Sequence, residues 1–94
     1  MTTETKKYLA FVDVPHPNYG YCRCFLQTHT PGGITTFESN AKQYTRYKDA
    51  EKAAKWFREN IRPNYTNGLD YQSKDKKAGV LFVSIIETRE ETIL

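Results

Sequence analysis

Lys48-Asp49-Ala50-Glu51-Lys52-Ala53-Ala54-Lys55-Trp56-Phe57-Arg58-Glu59-Asn60-Ile61 is the stretch whose reading decides the fold. Ala50, Ala53, Ala54, Phe57 and Ile61 recur at i, i+3, i+4, i+7 and i+11, which places them along one side of an α-helix. The other side carries Lys48, Glu51, Lys52, Lys55, Arg58 and Glu59. Arg62-Pro63 stops the helix, since proline lacks the N–H that the ladder needs and disfavours helix in the residue before it. A helix with one apolar stripe needs a flat apolar partner, and the segments around it supply strands.

Upstream, Tyr8 to Val14 is apolar, β-branched or aromatic, and is stopped by Pro15 and Pro17. After the turn-rich Pro15 to Gly20, Tyr21 to Thr28 reads as a second strand. Cys22, Cys24 and Leu26 face one way, and Tyr21, Arg23, Phe25 and Gln27 the other. Thr30-Pro31-Gly32-Gly33 is a turn signal, followed by a third strand over Ile34 to Glu38 and a short extra one near Lys42 to Thr45. Downstream, Val80 to Ile86 is the most apolar run. It alternates apolar groups on both sides, as an interior strand does. The reading is an α+β domain, β-β-β-α-β, with an antiparallel sheet of three to five strands and one α-helix packed on one face. The opposite face is then solvated, paired in a dimer or used for binding.

The chain has 94 residues, enough for one domain spanning 1–94 with a single two-layer core. No apolar run approaches the roughly 20 residues of a membrane span. The opening residues have no apolar signal segment, so a cytoplasmic protein with no membrane partner is expected. Two cysteines two residues apart are expected as free thiols. The formal net charge is +3, but residues 40–77 hold ten Lys or Arg against five Asp or Glu, a local +5. Such a basic middle is compatible with an anionic partner.

Catalytic and metal chemistry find little support. His16, Cys22, Cys24 and His29 are residue types that hold zinc, but Cys-x-Cys on a strand is not the tight turn from which structural zinc sites draw two ligands. A catalytic cysteine needs a histidine base and an activating, partly exposed setting, whereas Cys22 and Cys24 are expected to face the helix. Asp13, at the end of the first strand, is the lone candidate acid in an apolar setting. No nucleophile elbow, phosphate loop, paired-carboxylate site or zinc-protease helix is present. No cofactor, no metal and no enzymatic activity are expected.

The aromatic count, thirteen in 94 residues, is the more informative oddity, and seven of these are tyrosines. Tyrosine combines rigid apolar area with a hydroxyl, which suits interfaces, and bases can stack on it. Tyr8, Phe11, Phe25, Phe37, Phe57 and Phe82 are read as core, and Trp56 as widening the apolar stripe of the helix. The candidate partner-binding residues are Tyr19, Tyr21, Arg23, Tyr65, Tyr71, Lys74, Lys76 and Lys77. The last five lie in the long polar loop over residues 62–78, a length that signals either disorder or function.

The stretch Ala41-Lys42-Gln43-Tyr44-Thr45-Arg46-Tyr47-Lys48-Asp49-Ala50-Glu51-Lys52-Ala53-Ala54-Lys55-Trp56 resembles a pattern common in small phage and mobile-element proteins. There a short strand ending in an aromatic leads into a helix that opens with an acid-Ala pair. The order of three strands then a helix, Tyr8 to Ile61, is similar to that of the arm-type DNA-binding domains of phage integrases. This chain adds a final strand and carries Cys22 and Cys24 where those domains are densely basic. The resemblance implies a phage-type accessory protein that docks on host machinery, with anti-defence, anti-CRISPR-type inhibitors in that class. The expected partner is a host protein or nucleoprotein complex, engaged by a monomer or homodimer. The alternative is direct binding of DNA or RNA by the basic, tyrosine-rich surface.

Overall fold

Strand β1, Lys7–His16, is the centre of the sheet, because it is paired along both edges. Its even-numbered residues Ala10, Val12 and Val14 and its odd-numbered Leu9 and Phe11 are all fully buried. That pattern requires cover on both faces of the sheet. A computed structural model describes residues 7–30, 32–62, 68–84, 86 and 88–94. In chain order the other elements are β2 (Gly20–Leu26), β3 (Ile34–Thr35), a 3-10 turn (Glu38–Asn40), α1 (Tyr47–Asn60), β4 (Lys77–Val83) and β5 (Arg89–Ile93). The five strands form one antiparallel sheet in the order β3-β2-β1-β4-β5. With the single α-helix this is a small α+β domain.

Helix α1 lies where its sequence places it, with Ala50, Ala53, Ala54 and Phe57 buried. Asp49 in the first turn complements the positive end of the helix dipole. These side chains pack on Ala10, Val12, Val14, Cys24, Leu26, Ala78 and Val80, and Ile61 and Tyr71 complete the same cluster. Three alanines on the stripe let the helix backbone approach the sheet closely, and Phe57 fills the centre. Trp56 is half-buried against this core and stacks on His29, ring centres 4.2 Å apart.

The opposite face is not left to solvent. Leu9, Phe11, Phe25, Leu81 and Val83 form a second buried cluster, joined by Ala41 from the segment after the 3-10 turn. That segment folds back to the sheet: the Lys42 N–H donates to the Leu26 carbonyl, 2.8 Å, and Tyr44 exchanges backbone hydrogen bonds with Tyr8. Tyr44 thus takes the place beside β1 that β2 vacates, as a single bridge where a short strand was expected. Glu38 on the 3-10 turn is ion-paired with Arg89 on β5. The third strand is shorter than its expected span and leaves Phe37 exposed rather than in the core.

The last two strands revise the expected C-terminal part. β4 begins at Lys77, inside the stretch read as loop, and ends at Val83. The chain then reverses through Ser84 and Thr88, with the Ser84 N–H donating to the Thr88 carbonyl at 3.0 Å, and Ile86 is exposed on that turn. β5 follows as a fifth strand with every residue exposed. No described helix is long and apolar enough to cross a membrane.

Candidate partner-binding surface

The β1–β2 hairpin carries two exposed tyrosines near its turn. Pro17, Asn18 and Tyr19 make the turn, and Gly20 closes it at φ +82°, a left-handed conformation that side chains resist. Tyr19 is 81% exposed and Tyr21 48%. The Tyr19 ring stacks on His16 with centres 4.6 Å apart, and the Asn18 N–H donates to His16 Nδ1 at 3.1 Å. Tyr19 is therefore presented as a supported ring. On β4, the Lys77 ammonium lies 5.1 Å from the centre of the Tyr21 ring.

Beside these rings runs the free half of an edge. β3 pairs only with Phe25 and Leu26, so Gly20–Cys24 has no outer neighbour strand among the described residues. A shallow hollow of about 680 Å³ opens there, lined by His16, Tyr19, Tyr21, Arg23, Thr36 and Leu69. Leu69 reaches it from the 68–76 segment, which the Asp70 N–H ties to the Pro15 carbonyl at 2.9 Å. An exposed edge with unpaired backbone groups is a template for an added strand.

Of the eight residues expected to bind a partner, four are exposed: Tyr19, Tyr21, Lys74 and Lys77. Tyr71 corrects the expectation, because it lies in the core at 8% exposure. It anchors the 68–76 segment rather than offering a ring to a partner. Lys76 is turned inward: its Nζ donates to the Arg58 carbonyl at 2.8 Å, while Arg58 Nε donates to the Lys76 carbonyl at 2.8 Å. Burial lowers the affinity of the Lys76 amine for its proton. Tyr65 lies outside the described residues.

Arg23 is consumed by the fold. Its Nε and Nη2 bind both oxygens of Asp13 at 2.8 and 3.0 Å, and its Nη groups bind the Glu91 carboxylate. The Asp13 hydrogen bonds, more than any other contact, hold the guanidinium above its ordinary pKa. The Arg23 partnership holds Glu91 below the usual carboxylate range. Asp13, the candidate acid, is thus one side of an ion pair. Sequence reasoning missed this link, since Arg23 and Glu91 are 68 residues apart.

The thiols sit where the strand alternation puts them. Cys24 is buried against the helix, and burial pushes its thiol up to about 12, so at neutral pH it is protonated. Cys22 is half-buried, and both are free. Among the described residues, no three His, Cys, Asp or Glu side chains come together as a metal-holding group. Compared with protein-family models, with curated proteins and with solved structures, the chain matches none.

Proposed function

We propose that this is a non-catalytic binding protein that docks stoichiometrically on a host protein or nucleoprotein complex, in the manner of a phage-encoded accessory protein or anti-defence inhibitor. The observation that supports it is the pairing of two exposed tyrosines, Tyr19 and Tyr21, with the open half of the β2 edge. Aromatic anchors of this kind carry much of the energy at protein interfaces, and a free edge adds directed backbone hydrogen bonds.

The charge distribution favours protein over nucleic acid as the direct contact. Arg23 is neutralised by two carboxylates and Lys76 is spent on a backbone carbonyl. That leaves Lys74 and Lys77 of the four cations expected at this surface. Two cations track few phosphates, and each phosphate contact adds to affinity and to its salt dependence.

Affinity capture from host lysate, with and without nuclease, tests this reading when the wild-type chain is run beside a Tyr19→Ala, Tyr21→Ala variant. A stoichiometric protein that survives nuclease and is lost with the variant is the expected result. A complex dissolved by nuclease assigns direct nucleic-acid binding instead. A capture profile that is the same for both chains overturns the proposal.

A further inference from the structure

At the other end of β1 from the hairpin, the register lines up three residues across the helix side of the sheet. Tyr8 on β1 pairs with Phe82 on β4, and Phe82 pairs with Glu90 on β5. Their neighbours in the next row are Val80 and Thr92. Tyr47, the first residue of α1, stands over this row. Helix α1 lies across β1 and β4, so a trough remains between its first turn and β5. The trough is a hollow of about 260 Å³ walled by Tyr8, Tyr47 and Phe82 on one side and by Glu90 and Thr92 on the other.

The three rings pack at angles to each other along one side of the hollow. Tyr8 and Tyr47 are edge to face at 77°, centres 6.0 Å apart, and Tyr8 and Phe82 are tilted by 40° at 5.2 Å. Glu90 has no ion-pair partner among the described residues, in contrast to Glu91, Glu38, Glu51 and Glu59. The hydroxyl of Tyr47 is held above the usual phenol range by desolvation and by the adjacent Glu51 carboxylate. Three aromatic rings and a carboxylate without an ion-pair partner thus line one hollow, together with the hydroxyl of Thr92.

We propose that this trough binds an alkylated ammonium group, through cation–π contact with Tyr8, Tyr47 and Phe82 and charge pairing with Glu90. Ring faces attract a cation through their quadrupole, and aromatic cages with an acidic residue are how quaternary ammonium groups are recognised. The cost of shedding water selects among cations. A bare lysine ammonium brings three donors and strong hydration, and a guanidinium brings five donors. A methylated ammonium brings few donors or none and gives up its water more cheaply. The guest is either a small quaternary amine or a methylated lysine on a partner protein.

The site is far from Tyr19 and Tyr21 along β1, so its failure and the failure of the docking reading are separable. The test is an NMR titration of the full chain with choline, with a short peptide bearing trimethyllysine, and with 3,3-dimethylbutan-1-ol, the neutral isostere of choline. Ring resonances of Tyr8, Tyr47 and Phe82 are expected to shift with a cation, and the isostere is expected to bind about three- to tenfold more weakly. Glu90→Gln, an exposed change at the sheet edge, should weaken the cations about threefold and leave the isostere unaffected. Saturation by choline, by the peptide or by both supports the site and tells the two sources apart. Equal binding of choline and isostere, or no ring shifts with either cation, overturns it.

Discussion

The guanidinium carbon of Arg23 lies 3.8 Å from the centre of the Phe11 ring. Beneath that ring is Gly79, the cross-strand partner of Phe11, where an added Cβ would run into the ring. A stack of glycine backbone, phenyl ring and guanidinium therefore covers the sheet face away from the helix. Asp13 and Glu91 flank the guanidinium, so one side chain of β2 links β1 to the far strand β5. This arrangement, with the Glu38–Arg89 pair, explains how a domain with one helix buries both faces of its sheet.

Removing the guanidinium should cost more than removing its exposed partner Glu91. The Asp13 side chain is only 16% exposed and accepts two of the hydrogen bonds of Arg23. Arg23→Leu leaves that carboxylate short of partners, with an expected loss of about 1–3 kcal/mol. Glu91, whose side chain is 49% exposed, is screened by water, and Glu91→Gln should lose about 0.2–1 kcal/mol. Urea unfolding of the two variants checks the order, and equal losses would contradict it.

Acid should weaken this face first. Arg89 holds Glu38, and Arg23 holds Glu91, below the usual carboxylate range. A carboxylate with a depressed folded pKa contributes stability above its unfolded pKa of about 4.3, and that contribution is lost as pH falls through the folded value. A Glu38→Gln, Glu91→Gln double variant should therefore be less stable than wild type at pH 7. It should converge with wild type as pH drops below about 4. Thermal melts across pH 3–7 measure it, and a constant gap would count against the ion pairs.

Gly79 is expected to refuse even a methyl group. Phe11 is fully buried, so its ring has nowhere to go when a Cβ enters. Gly79→Ala should lose about 1–3 kcal/mol through overpacking. Gly20 offers the contrast: nothing lies within 4 Å of a Cβ there, but φ is +82°, so Gly20→Ala is strained through its backbone alone. Chemical denaturation of both variants, with near-ultraviolet circular dichroism of the aromatic packing, separates the two causes. Only the Gly79 change should disturb the aromatic signal.

Tyr44 carries an avoidable cost. Its hydroxyl is buried with no hydrogen-bond partner among the described residues, and burial raises its pKa. Tyr44→Phe keeps the ring packed against the helix-side core and removes the stranded group. Stability should rise by about 0.5–1 kcal/mol. A loss on denaturation would show that the hydroxyl is bonded in solution.

Most of the framework was legible because it rests on burial periodicity. The stripe from Ala50 to Ile61 located α1 within one residue at each end, and the two-residue alternation placed Cys24 and Leu26 against it. β5 escaped because Arg89, Glu90, Glu91 and Thr92 are polar on both faces. An edge strand that buries nothing leaves no hydrophobic signal. Tyr71 escaped for the opposite reason: it is a lone core residue among polar neighbours, with no period to give it away. The cover on the second sheet face was hidden as well, since it depends on pairs such as Arg23–Glu91 and Arg89–Glu38, whose members are far apart in the chain. Tyr19 and Tyr21 could be named as surface candidates from their place in and beside a turn, but not the open edge next to them. That edge follows from β3 being only two residues long.

Hydroxyl-radical footprinting of the tyrosines, in the free chain and in its captured complex, tests the central claim most directly. The account predicts strong labelling of Tyr19 and Tyr21 and little of Tyr71 in the free protein, with Tyr19 and Tyr21 protected in the complex. Labelling of Tyr19 and Tyr21 that is unchanged by a stoichiometric partner would contradict it.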